Sequence, residues 1–324
     1  MRRASLKFIL FSMMITLVLA LAACGNNSEE ETTEPAENDN EETTSSYIVE
    51  HAMGSTEIAG TPEKVVILTN EGTEALLALG VTPVGAVTSW TGDPWYEHIS
   101  EDMEGVQELG TESEPNLEAI AALQPDLIIG NKMRQEAVYE QLSAIAPTVF
   151  AESLRGNWKI NFELYAEALN KTEEGEQVLE DYAARIAAFQ EEAGDLLDLE
   201  ISMVRFLGGD VRIYQKDSFS GVILEEIGFN RPESQRADEL AIMGATKEMI
   251  PDMDGDILFY FTYETGDGEG SNVEEEWLND PLFQQLPVVE RGDAHKVSDA
   301  IWNTAGGVLA AHLMIDDLES KILE

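Results

Sequence analysis

One cysteine, Cys24, is all that the 324 residues provide, so no disulfide can form within the chain and stability must come from a packed core. Basic residues are scarce too: 19 Lys and Arg stand against 63 Asp and Glu, a formal charge of −44. That balance excludes a nucleic-acid-binding surface. It suits a salt-rich or alkaline exterior, where salt screens self-repulsion. The histidines His51, His98, His295 and His312 lie far apart and show no metal-ligand spacing, so no metal site of the protein's own is expected. No Ser-His-Asp order, phosphate-binding glycine loop or CxxC pair occurs, which leaves no basis for an enzyme or a resident cofactor. The apolar run from Phe8 to Leu21 is also too short for a bilayer crossing, which takes roughly twenty residues.

What the N-terminus does contain is ordered: Arg2, Arg3 and Lys7, then that apolar run, then Leu21-Ala22-Ala23-Cys24-Gly25. This is the layout of an export signal. Its end resembles the bacterial lipobox, which implies cleavage before Cys24 and acylation, palmitate included, at the new N-terminus. Two or more acyl chains would hold the protein on the extracytoplasmic face of the membrane. Residues 1–23 are thus expected to be a lipoprotein signal. Gly25 to Ser46 holds no Leu, Ile, Val, Phe, Tyr or Trp but eight acids, so it cannot bury enough apolar surface to fold. Residues 24–46 read as a disordered acidic tether reaching roughly 25 Å.

From Tyr47 the pattern changes to short apolar runs alternating with helical periodicity, the mark of α/β structure. Val65 to Leu68, Val84 to Val87 and Asp126 to Gly130 read as strands, with a helix ending at Gly80 and another over Glu118 to Leu123. A second such series has strands at Ile201 to Phe206, Val211 to Tyr214 and Asp256 to Phe261, and helices at Val222 to Ile227 and Gly307 to Leu318. Between them Val178, Tyr182, Ile186, Phe189, Ala193 and Leu196 recur at helical spacing. The expected organisation is an N-terminal α/β lobe over 47–170, one linking helix over 171–199 and a C-terminal α/β lobe over 200–324. A helical bridge makes a stiff hinge.

If Gly208-Gly209 forms a two-residue turn, Leu207 faces Asp210, Phe206 faces Val211 and Arg205 faces Arg212. Two guanidinium groups then share one face of the sheet, roughly 5 Å apart at Cβ. Like charges so placed are unfavourable unless an anion lies over them, and Arg suits carboxylate or hydroxamate oxygens. The alternative is that each bonds a nearby acid such as Asp210 or Glu226. In the first case, removing either arginine should leave the ligand-free protein as stable as before. Lys132 and Arg134 follow the strand ending at Gly130, where α/β sheets place ligands. Trp90 holds the matching position after Val87, and Trp158, Tyr214 and Trp302 could wall a bulky ligand.

The lipobox, the Val-Val-Ile-Leu strand, Glu74-Ala-Leu-Leu-Ala-Leu-Gly-Val-Thr-Pro-Val-Gly85, Asn116 to Gly130 and the central helix together resemble the substrate-binding lipoproteins of iron-siderophore ABC importers. Val204 to Tyr214 with Phe219 to Phe229 is similar to the Gram-positive branch that binds hydroxamate or citrate-hydroxamate siderophores. The resemblance implies two Rossmann-like lobes joined by one long α-helix, the class III solute-binding architecture. It implies capture of a ferric siderophore whose iron arrives already chelated, and delivery to ABC permease subunits for iron uptake. It also implies that the loop of Trp302 faces the cleft and that Glu74 and Glu225 dock onto permease arginines, one per lobe. Two other readings remain: a surface lipoprotein that senses or adheres, and a carrier of another chelate such as haem or cobalamin.

Overall fold

The computed structural model describes residues 45–323; Cys24, the signal and nearly all of the acidic segment lie outside the described residues. Strands β1 (Ser46–His51) and β2 (Gly54–Ala59) form an antiparallel hairpin that opens the folded part. Next come β3 (Val65–Ile67), β4 (Gly85–Ala86), β5 (Gln107–Glu108), β6 (Leu127–Asn131) and β7 (Thr148–Ala151), all parallel in the order β5-β4-β3-β6-β7. The second sheet contains β8 (Ile201–Leu207), β9 (Asp210–Tyr214), β10 (Ala241–Ile242), β11 (Ile257–Thr262) and β12 (Ala294–Lys296), in the order β10-β9-β8-β11-β12. Here β8, β11 and β12 are parallel, β9 is antiparallel to β8, and β10 is antiparallel to β9.

Period-two alternation sorts the apolar residues of each strand onto two faces. Val65 and Ile67 with Leu127 and Ile129 point to one side, Val66 and Leu68 with Ile128 to the other. In the second sheet Ile201, Met203, Phe259 and Phe261 take the inner side, and Val204, Phe206 and Leu258 the outer. The two inner faces belong to one continuous core that also takes in Phe162, Tyr165, Tyr182, Phe189 and Met314. The same alternation explains the arginines: Arg205 stands in register with Ile201 and Met203 and so faces the other lobe.

The linking helix runs from Thr172 to Ala193, a length of about 33 Å at 1.5 Å per residue, and a 3₁₀ turn carries it to Asp198. After Gly175, its buried residues Tyr182, Ile186, Phe189 and Ala193 fall at spacings of four, three and four. Tyr182 packs edge-on against Trp158 at 5.0 Å and its hydroxyl donates to Glu226 Oε2 at 3.0 Å, so the helix grips both lobes. A second bridge is the C-terminal helix Val308–Leu318, which follows the second sheet in sequence yet packs on the Asn70–Ala78 helix of the first lobe. Arg185 of the linking helix clamps it by donating to the His312 carbonyl at 3.1 Å and pairing with Asp316. Among the described residues no helix is long and apolar enough to cross a membrane.

Candidate functional site

A cleft of about 260 Å³ lies between the lobes, lined by loops beyond the carboxyl ends of the parallel strands. Backbone groups are free there and side chains from several strands converge, as expected for ligand sites of such sheets. The first lobe supplies Glu71 after β3, Trp90 after β4, Glu112 after β5, Arg134 after β6, and Leu154 and Arg155 after β7. The second supplies Arg205, Arg212 and Tyr214 from the β8–β9 hairpin, Tyr263 after β11 and the Asn303 to Gly306 segment after β12.

The hairpin has the expected register, with Arg205 opposite Arg212 and Leu207 opposite Asp210. Gly209 takes φ +75°, a conformation glycine adopts without steric cost. Both arginines reach the cleft, and both already hold an acid. Arg205 makes a bidentate pair with Asp299, Nε to Oδ1 at 2.6 Å and Nη2 to Oδ2 at 3.0 Å, and its Nη1 donates to the Tyr214 hydroxyl at 3.3 Å. The side chains of Arg205 and Asp299 are only 8% and 4% exposed. Removing Arg205 would strand a buried carboxylate, so the expectation of unchanged stability does not hold for this residue. Arg212 Nε donates to Asp210 Oδ2 at 2.7 Å in a more exposed pair. These pairs fix where the guanidinium groups point.

In the first lobe Arg134 lies over the Trp90 ring, 5.6 Å from its centre, and its Nε donates to Glu112 Oε2 at 3.2 Å. Glu112 is buried and its other oxygen accepts from the Asn70 backbone at 2.8 Å and side chain at 2.9 Å. Tyr263 completes the frame: its ring lies under Arg205 at 5.1 Å, and its hydroxyl donates across the cleft to the Trp90 carbonyl at 3.3 Å. Arg155 is exposed, and among the described residues it is the one cleft arginine with no carboxylate within ion-pair distance.

Four expected site residues lie elsewhere. Trp302 is fully buried, tilted on Phe259 at 4.5 Å, and its Nε1 donates to Asp317 Oδ2 at 2.7 Å; the four residues after it line the cleft instead. Trp158 is core, wedged between Tyr182 and Phe219. Lys132 lies outside the cleft lining and pairs with Glu152 at 2.8 Å. Glu74 does not stand on a lobe surface: it has no exposure, and it accepts from the Ala310 backbone N–H at 2.9 Å and contacts His98 Nε2 at 2.5 Å. It fastens the C-terminal helix to the first lobe and cannot meet a partner protein. Glu225 does face solvent, 2.8 Å from Lys216.

Glu71, Glu112, Arg155 and Tyr263 were not anticipated. Tyr263 and Glu71 follow β11 and β3, both legible as strands, so the carboxyl-end rule extended to them would have found these two; Arg155 follows β7, which the sequence reading did not place. Glu112 follows β5, a two-residue exposed strand that leaves no periodic trace.

A family model described as "Periplasmic binding protein" matches residues 65–294. The probable siderophore-binding lipoprotein YfiY of Bacillus subtilis is 51% identical over 85% of this chain and 87% of its own length. An achromobactin-binding periplasmic protein of Dickeya dadantii is 30% identical over 79% of this chain and 85% of its own. Among solved structures, Staphylococcus aureus SirA complexed with staphyloferrin B superposes with a TM-score of 0.78 at 36% identity, covering 85% of this chain and 98% of that one.

Proposed function

Because the chain belongs to the periplasmic binding protein family, we propose that it captures a ferric siderophore between its lobes and delivers it to an ABC importer for iron uptake. The observation that carries this reading is the concentration of Arg134, Arg155, Arg205 and Arg212 around one cleft in a chain of charge −44. Three of them are held by acids and Arg155 has no carboxylate within ion-pair distance among the described residues, so the cleft offers oriented donors for an anionic chelate together with the aromatic faces of Trp90, Tyr214 and Tyr263. Carboxylate and hydroxamate oxygens suit guanidinium forks, which favours a citrate-hydroxamate ligand. A bridge of one long helix plus the strapped C-terminal helix favours small closing motions.

Anchoring at Cys24 on the extracytoplasmic face, with permease subunits as the partner, completes the proposal. Glu225 is the permease contact retained from the sequence reading.

Native mass spectrometry of the protein offered citrate-hydroxamate, hydroxamate and catecholate ferric siderophores, haem and cobalamin tests it. Retention of a ferric citrate-hydroxamate complex is expected; retention of haem or cobalamin alone, or of nothing, would overturn it. Iron uptake that survives deletion of the protein would favour a sensor or adhesin instead.

A further inference from the structure

Glu71 is the buried ionisable group of the cleft for which ligand capture by the arginines has no use. It sits in the first turn of the Asn70–Ala78 helix, where its side chain is walled by the Trp158–Ala168 helix and its backbone by the Gly307 segment. Its Oε1 accepts from Asn161 Nδ2 at 2.7 Å and from the Tyr165 hydroxyl at 3.4 Å. Its Oε2 is buried and has no hydrogen-bond partner among the described residues. The ionisable groups facing it are Glu74 from its own helix, Glu112 from the loop after β5 and Tyr165 from the neighbouring helix; none of these is a cation. Glu112 is already committed to Asn70 and Arg134, and Glu74 to Ala310 and His98.

A carboxylate in that position would be a buried charge with one unsatisfied oxygen and two acids for neighbours, whereas the neutral acid needs only a proton on that oxygen. Burial first, then the nearby acids, pushes the Glu71 carboxyl up to about 8 against the pull of the Asn161 bond. We propose that Glu71 is a proton-holding residue of the cleft: capture of an anionic chelate is linked to a proton retained on this carboxyl, and affinity falls when that proton is lost. The proposal rests on the reading of the cleft as an anion site. An ionised Glu71 would add a negative charge at the cleft wall and cancel part of the arginine field. By linkage, a bound anion in turn holds the proton more tightly. Glu71 is a positioning residue here, since its free oxygen is closed off from solvent.

The test uses the full chain and Glu71→Gln, with a ferric citrate-hydroxamate siderophore as probe, in tryptophan-fluorescence titrations from about pH 6 to pH 10. Protonation of the chelate itself affects both proteins alike, so the ratio of their dissociation constants isolates Glu71. That ratio should shift against the wild type above about pH 8, by up to tenfold per pH unit, as expected for one linked proton. A ratio constant across the range overturns the proposal. Thermal melts without ligand form a second arm. The unfolded acid ionises near its ordinary value and the folded one only near 8, so wild type should lose stability relative to Glu71→Gln as pH rises between them. A melting difference that does not widen over that interval also overturns it. If the melts diverge but the probe binds neither protein, the proton on Glu71 stands, while its link to capture and the anion-site reading fall together.

Discussion

The two walls of the cleft are built on different principles. The second lobe presents Arg205 and Arg212 from a ladder of paired strands, one of them locked to Asp299 in a buried bidentate pair. The first lobe presents Trp90 and Glu112 from loops and Arg134 and Arg155 from single helical turns; Arg134 is held by one hydrogen bond and a ring contact, and Arg155 has no carboxylate within ion-pair distance among the described residues. A strand fixes a side chain through backbone register, so position and stability are coupled there. A loop or a single turn fixes it through individual contacts, so ligand recognition can change with little effect on the fold. Strand-borne and turn-borne arginines should therefore respond differently to the same truncation.

The largest effect is expected for Arg205→Ala. It leaves Asp299 buried and unpaired, which costs about 3–5 kcal/mol, and chemical denaturation should show it without any ligand present. An unchanged denaturation midpoint would mean that the pair is not a buried one in solution. Glu74→Ala comes next: losing the acceptor for the Ala310 N–H and for His98 inside the core should cost roughly 1–3 kcal/mol. Iron uptake lost in cells while the purified protein melts like wild type would instead restore a docking role for Glu74.

Arg212→Ala breaks a half-exposed pair, so stability should move by less than about 1 kcal/mol. Its affinity for ferric siderophore should still fall on the order of tenfold to a hundredfold, since a charged hydrogen bond contributes roughly 1.5–3 kcal/mol. A shift in stability with unchanged affinity would reverse that assignment. Glu225→Ala is the smallest in isolation: stability within about 0.5 kcal/mol and binding unaltered, with loss only of uptake. Uptake at the wild-type rate would remove Glu225 from the permease interface.

The same contrast governs what could be read from the sequence. Short continuous apolar runs marked β3, β6, β8 and β11, and the Gly208-Gly209 turn fixed the hairpin register residue by residue, because apolar runs and turn chemistry are local properties. The linking helix was legible for the same reason and ends six residues early, at Ala193, before Gly194, where φ reaches +49° and the chain tightens into a 3₁₀ turn. Trp302 and Trp158 were misplaced because an aromatic beside a cleft loop and one behind it look alike in sequence. Which it becomes depends on Phe259, Tyr182 and Phe219, which arrive from distant segments. Glu74 was expected on a lobe surface because the family resemblance implies a permease-docking glutamate in each lobe. Its burial follows from the C-terminal helix returning across the first lobe, a long-range event without a local signature.

The most direct test of the cleft as the ligand site removes one weakly anchored arginine from each wall. Equilibrium titration of Arg155→Ala/Arg212→Ala with a ferric citrate-hydroxamate siderophore should give affinity at least about a hundredfold below wild type, one lost charged contact per wall, while the ligand-free protein melts close to wild type. Wild-type affinity in the double variant would contradict the account and move the site away from the arginine-lined cleft.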